Sequence, residues 1–146
     1  MRSFRFSLEQ VLRFRKQLEE QAMLVFAQAV QARDRRLREK EALEAVLGQA
    51  RNTMADPAFL DTDERWLLNN YMTALASDIE QARNDLALLE EAVDRARSDL
   101  TLKAQDRKLL DRLKEKQASR HRLAENHKEQ QDNDDIATIR FTPSTV

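Results

Sequence analysis

The chain of 146 residues contains no cysteine, one glycine, two prolines and few aromatic side chains. Without thiols it builds neither a disulfide framework nor a thiolate metal site, which fits a reducing compartment. One glycine is too few for the close backbone approaches of phosphate loops and nucleophile elbows, and no His-Glu-x-x-His pair occurs. Apolar runs of the roughly 20 residues that cross a membrane are missing, as is the apolar stretch of a secretory signal, so a soluble cytoplasmic protein is expected. Neither sign of charge dominates, with 25 Lys and Arg against 26 Asp and Glu. That balance gives no reason to expect nucleic acid as a partner. No enzymatic activity, cofactor or metal is expected. His121 and His127 fall on different sides of a helix and read as solvated, and the pairs Glu90-Glu91 and Asp134-Asp135 read as solubilising charge.

What is present is the composition of long charged helices, 41% hydrophobic and 35% charged. Leu68, Met72, Leu75, Ile79, Ala82, Leu86, Leu89, Val93, Ala96 and Leu100 alternate at steps of four and three, the seam of a left-handed coiled coil. Leu8, Val11, Leu18, Ala22, Val25, Ala29 and Ala32 offer a matching stripe, interrupted at Arg15, weak between Arg33 and Glu41, and restored by Leu43, Val46, Leu47 and Ala50. Ser7 and Gln10 have the form of a capping box, with Phe6 and Val11 as its hydrophobic staple. Asp56-Pro57 disfavours continued helix, and Asp61-Thr62-Asp63-Glu64 reads as a second N-cap. Gly48 stays inside the first helix.

The expected fold is therefore all-α: two long helices forming an antiparallel coiled-coil hairpin, the second longer. The hairpin takes up residues 1–135, with a helix at about 7–54, a turn at about 55–61, a helix at about 62–131, and a flexible tail at 132–146. At 1.5 Å per residue the helices would be roughly 72 Å and 105 Å long. Leu8 would lie opposite about residue 108, leaving the end of the second helix unpaired. Lys103 and Arg107 fall on seam positions, and Leu102, Leu109, Leu113 and Leu123 form an apolar track shifted by one residue, so the seam is expected to slip there.

Two groups are candidate binding surfaces. Residues 103–122 carry eight basic side chains, among them Arg107, Arg112, Lys116 and Arg120, against three acidic ones. They are either a solvated helix with pairs such as Asp111 with Lys114, or a basic rod end for an acidic or ring-shaped partner. Near the turn, Trp66, Tyr71 and Leu75 are expected to face Leu43, Val46 and Leu47. Leu75 reads as core, while Trp66 and Tyr71 are candidate anchors for another protein, with closure of the hairpin over Phe59 or Leu60 as the alternative for Trp66.

The phrase from Phe4 to Leu12, followed by Gln17-Leu18-Glu19-Glu20-Gln21-Ala22 and by the run from Leu109 to Gln117 before an acidic, glutamine-containing end, resembles the FliJ family of the flagellar type III export apparatus. The wider family includes injectisome stalk proteins. The resemblance implies a hairpin like the central stalk of rotary ATP synthases. Its terminal end would insert into a hexameric FliI-like export ATPase and activate it. It implies further partners in the cytoplasmic part of an FlhA-like export gate and in export chaperones, at the cytoplasmic face of the inner membrane. On that basis Arg107, Arg112, Lys116 and Arg120 are candidates for the ATPase, and Leu43, Val46, Trp66, Tyr71 and Leu75 for the gate. A structural coiled-coil scaffold is the alternative, and a protein that is monomeric alone favours the stalk.

Overall fold

The computed structural model describes residues 2–58 and 60–141. Two helices account for nearly all of them, α1 (Glu9–Ala55) and α2 (Thr62–Phe141), forming an antiparallel coiled-coil hairpin with the second helix longer.

Local chemistry sets most of the ends. The Leu8 carbonyl accepts the first α-helical bond, from Leu12 N at 2.9 Å, and Glu9 N bonds the Phe6 carbonyl at 3.2 Å. The carbonyl of the capping residue is the first intrahelical acceptor, so Leu8, not Ser7, holds the cap position. Phe6 is buried just ahead of it. At the other end Asp56 forms a turn through its carboxylate, which accepts from Ala58 N at 3.0 Å. Asp61 caps α2 as expected: its carboxylate accepts from Glu64 N at 2.8 Å and its carbonyl from Arg65 N at 3.0 Å. Gly48 lies within α1.

Helix α2 ends at Phe141, not near residue 131. The acidic stretch from Asp132 to Asp135 contains neither Gly nor Pro, and the next proline is Pro143. Low-propensity residues weaken a helix without ending it, whereas the position before proline is where helices stop. Residues 142–146 of the expected tail lie outside the described residues.

The chain divides into two compact units. Unit 1 comprises Met1–Glu19 with Leu102–Val146, and unit 2 comprises Glu20–Thr101. Unit 2 is built on an apolar seam. All ten expected positions from Leu68 to Leu100 are buried or half-buried, and Leu47, Leu75 and Ile79 form a buried cluster against which Leu43 and Met72 pack. On α1 the seam runs through Ala22, Phe26, Ala29, Arg33, Arg36, Lys40, Leu43, Leu47 and Ala50. Val25 and Val46, expected inside, are exposed. Arg33, Arg36 and Lys40 fill the stretch that reads as weak. Their aliphatic stems cover the seam while their heads reach carboxylates: Arg36 Nη2 lies 2.9 Å from Asp85 and Arg33 Nη1 lies 3.8 Å from Glu90. Arg97 stands over the Phe26 ring at 5.7 Å.

Unit 1 keeps the same three-and-four alternation with different chemistry. On α2 it runs through Lys103, Arg107, Leu110, Lys114, Gln117 and His121, each half-buried, and on α1 through buried Leu12 and half-buried Arg15 and Glu19. The seam therefore does not slip. Leu102, Leu109, Leu113 and Leu123 are exposed beside it, as are Leu8 and Val11. An uninterrupted helix carries its register forward whatever residues occupy it, so polar side chains inherit the inward positions. The pairing is Lys114 with Glu9 at 2.8 Å, which places the start of α1 level with residue 114, further along α2 than the expected 108. Residues ahead of α1 also pair, since His121 Nε2 lies 2.9 Å from the Arg2 carbonyl oxygen and its ring 5.7 Å from that of Phe4. His121 is thus tied to the amino-terminal segment rather than simply solvated.

Candidate functional site

The basic stretch in unit 1 separates into cations that are used and cations that are displayed. Arg107 is used: its Nε donates to Glu19 Oε2 at 2.6 Å, its Nη2 to Glu19 Oε1 at 3.2 Å, and its Nη1 to Asp111 at 2.8 Å. This fork is the geometry in which guanidinium binds carboxylate most strongly. The hydrogen bonds Arg107 donates to Glu19 and then to Asp111 raise its pKa further, and the bond from Arg107 holds the Glu19 carboxyl below its usual range. Lys114 does the same for Glu9, through a hydrogen bond first and charge second. Arg15 closes on Asp106 at 3.4 Å. Because Lys114 pairs with Glu9 across the helices and Asp111 with Arg107 along α2, these two contacts replace the expected Asp111–Lys114 pair.

Arg112, Lys116 and Arg120 are displayed. All three are exposed, and among the described residues none takes part in an ion pair. Arg112 sits with Gln105, Lys108 and Leu109 along a shallow groove of about 280 Å³ on α2. Three exposed positive charges on one helical stretch, with exposed leucines interleaved, form a surface that attracts carboxylates without enclosing a ligand.

Near the turn the candidates also split. Leu75 is 5% exposed and Leu43 packs on the same buried cluster, so both are core. Trp66 and Tyr71 are 65% and 51% exposed, and Val46 is partly exposed. Leu47 and Leu75 meet as expected. Tyr71 and Trp66 stand closer to the turn than Leu43 or Val46, since pairing runs Arg36 with Asp85 and Leu47 with Leu75. Leu60 is half-buried while Trp66 remains open; Phe59, the other residue it was expected to cover, lies outside the described residues. Leu67 is exposed beside Trp66; it precedes a seam position, so the heptad pattern does not select it.

Two helices, a narrow seam and exposed charged and apolar side chains define a coiled-coil protein. The description "Flagellar FliJ protein" matches residues 4–144, nearly the whole chain. The chain belongs to the FliJ family and is a component of the flagellar export apparatus. No curated protein and no solved structure matches it. No helix among the described residues is long and apolar enough to cross a membrane.

Proposed function

We propose that the chain binds and activates the hexameric export ATPase as a stalk, and links it to the cytoplasmic part of the export gate and to export chaperones at the cytoplasmic face of the inner membrane. The observation that carries the ATPase assignment is the set Arg112, Lys116 and Arg120 in unit 1, exposed and without an ion pair among the described residues. Helix α2 continues from there to Phe141, whereas α1 begins at Glu9, level with Lys114. A cationic stretch with one side uncovered suits a ring whose lumen offers carboxylates, and steering by charge favours its entry. Arg107, held by Glu19 and Asp111, shapes this region from within. For the gate, Trp66, Tyr71 and Val46 supply the apolar contact, while Leu43 and Leu75 support them from the core.

The test is ATP hydrolysis by the cognate export ATPase, titrated from below one copy of this chain per hexamer upward. Stimulation should saturate near one copy per ring and be lost when Arg112, Lys116 and Arg120 are changed to Glu, with helicity unchanged by circular dichroism. Stimulation unaltered by the charge reversal overturns the assignment. No stimulation from the unaltered, folded protein points instead to a gate adaptor or a scaffold. Unchanged gate affinity after Trp66→Ala with Tyr71→Ala returns those residues to a structural role.

A further inference from the structure

In unit 1 the two edges of the helix pair differ in kind. On α2 the residues that immediately precede the seam positions are Leu102, Asp106, Leu109, Leu113, Lys116 and Arg120; those that immediately follow are Ala104, Lys108, Asp111, Glu115, Ala118 and Arg122. The first edge carries leucines, whereas the second carries no apolar side chain larger than alanine. Helix α1 repeats the asymmetry: Val11 and Phe14 precede its seam positions and are exposed, whereas Arg13, Lys16 and Glu20 follow them. Antiparallel helices are related by a two-fold axis perpendicular to their common plane, so a given edge of one helix lies on the same side as that edge of the other. Val11 and Phe14 of α1 therefore share one side of unit 1 with Leu102, Leu109 and Leu113 of α2. The Arg15–Asp106 pair bridges the helices along it and neutralises the only carboxylate on that edge of α2 between residues 102 and 120.

We infer that this edge is a docking site for a third helix, an acidic amphipathic helix of a partner protein. Leu102 and Leu109 are seven residues apart and Leu123 fourteen further on, with Leu113 four after Leu109; Leu109 is 64% exposed and Leu123 69%. Spacing of seven with a companion at four is what the seam of another helix meets. The occupant follows from charge. Lys116 and Arg120 interrupt the leucines on the same edge, exposed and without an ion pair among the described residues. A second copy laid on this edge would oppose cation to cation, whereas glutamates flanking an apolar stripe would pair with both. The inference shares Lys116 and Arg120 with the ATPase reading but takes its contact from the exposed leucines, and it is tested without an ATPase.

The probe is a labelled synthetic helix of about four heptads with leucine at both seam positions and glutamate at the flanking ones, and its twin with lysine in place of glutamate. Titrated into the full chain, the glutamate peptide should bind saturably one to one, and its twin about tenfold or more weakly. Leu109→Ser with Leu113→Ser, exposed positions whose exchange leaves helicity in place, should weaken the glutamate peptide by about tenfold. Lys116→Glu with Arg120→Glu should reverse the preference toward the lysine twin. Arg122→Glu, an exposed charge reversal on the opposite edge, should leave the preference for the glutamate peptide in place. Failure to bind, equal binding of the twins, or binding that survives the leucine changes overturns the inference. A concentration-dependent dimer in sedimentation that the same leucine changes abolish also overturns it, by assigning the edge to a second copy.

Discussion

Unit 2 builds its seam mainly from leucine, isoleucine, valine and alanine, with Arg33, Arg36 and Lys40 on one stretch of α1; unit 1 places arginine, lysine, glutamate and histidine along much of its seam and Leu102, Leu109, Leu113 and Leu123 outside it. One continuous heptad register thus serves both units. Burial of apolar area holds unit 2, a force that needs no partner and changes little with salt or acid. Unit 1 relies more on pairs such as Arg107 with Glu19 and Lys114 with Glu9, which are partly exposed and open to screening. The proposed binding region would gain from that inversion, because apolar side chains kept out of the seam stay on the surface.

The largest test of this contrast is to remove apolar volume from unit 2. Ile79 is buried in the Leu47–Leu75 cluster, so Ile79→Ala should cost about 2–5 kcal/mol in denaturant unfolding, through lost transfer energy and the cavity left behind. Leu109→Ala in unit 1 removes as many carbons from an exposed site and should change stability by less than about 0.5 kcal/mol. Comparable costs at the two positions would erase the distinction between the units.

Acid should separate the units next. Glu19 and Glu9 have folded pKa values held below the ordinary 4.5 by Arg107 and Lys114. The unfolded chain then binds more protons as pH falls, so their contribution is full above the ordinary value and is lost from there downward through the lowered folded values. Residue-resolved amide exchange should show unit 1 opening as pH falls below about 4.5 while amides around Ile79 and Val93 stay protected. Glu19→Gln should lower the unit 1 protection seen at neutral pH and flatten its acid dependence. Uniform loss of protection along both helices would show that the ion pairs do not set the order of opening.

The same contrast decides which positions are legible in the sequence. The α2 seam from Leu68 to Leu100 was readable because apolar residues and inward positions coincide there, and Asp61 was readable because a cap is local chemistry. On α1 the choice failed at alternate positions: Val11 stands beside Leu12 and Val25 beside Phe26, and pattern alone does not decide between adjacent apolar residues. In unit 1 the assumption that apolar means inside selected the outer edge. The corrective signal was continuity, since Leu100, Lys103, Arg107 and Leu110 keep the three-and-four alternation. The pairing of Arg107 with Glu19, 88 residues away in the chain, had no signal in spacing or composition. Three of the four basic candidates remained exposed because nothing on α1 reaches them.

The smallest expected effect sharpens the picture of unit 2. Gly48 sits inside α1 directly after the buried Leu47, and a Cβ added there meets no atom within 4 Å. Alanine would restrict the unfolded chain and suit the helical backbone, with no steric opposition from α2. Gly48→Ala should therefore stabilise the protein by about 0.5–1 kcal/mol, seen as a higher denaturant midpoint with an unchanged slope. Amide protection should rise around Leu47 and Leu75, and protection near Arg107 should stay as it was, if unit 1 opens independently. Equal gains in both regions would mean that the helices open as one cooperative element, and the contrast between the units would then be one of composition alone.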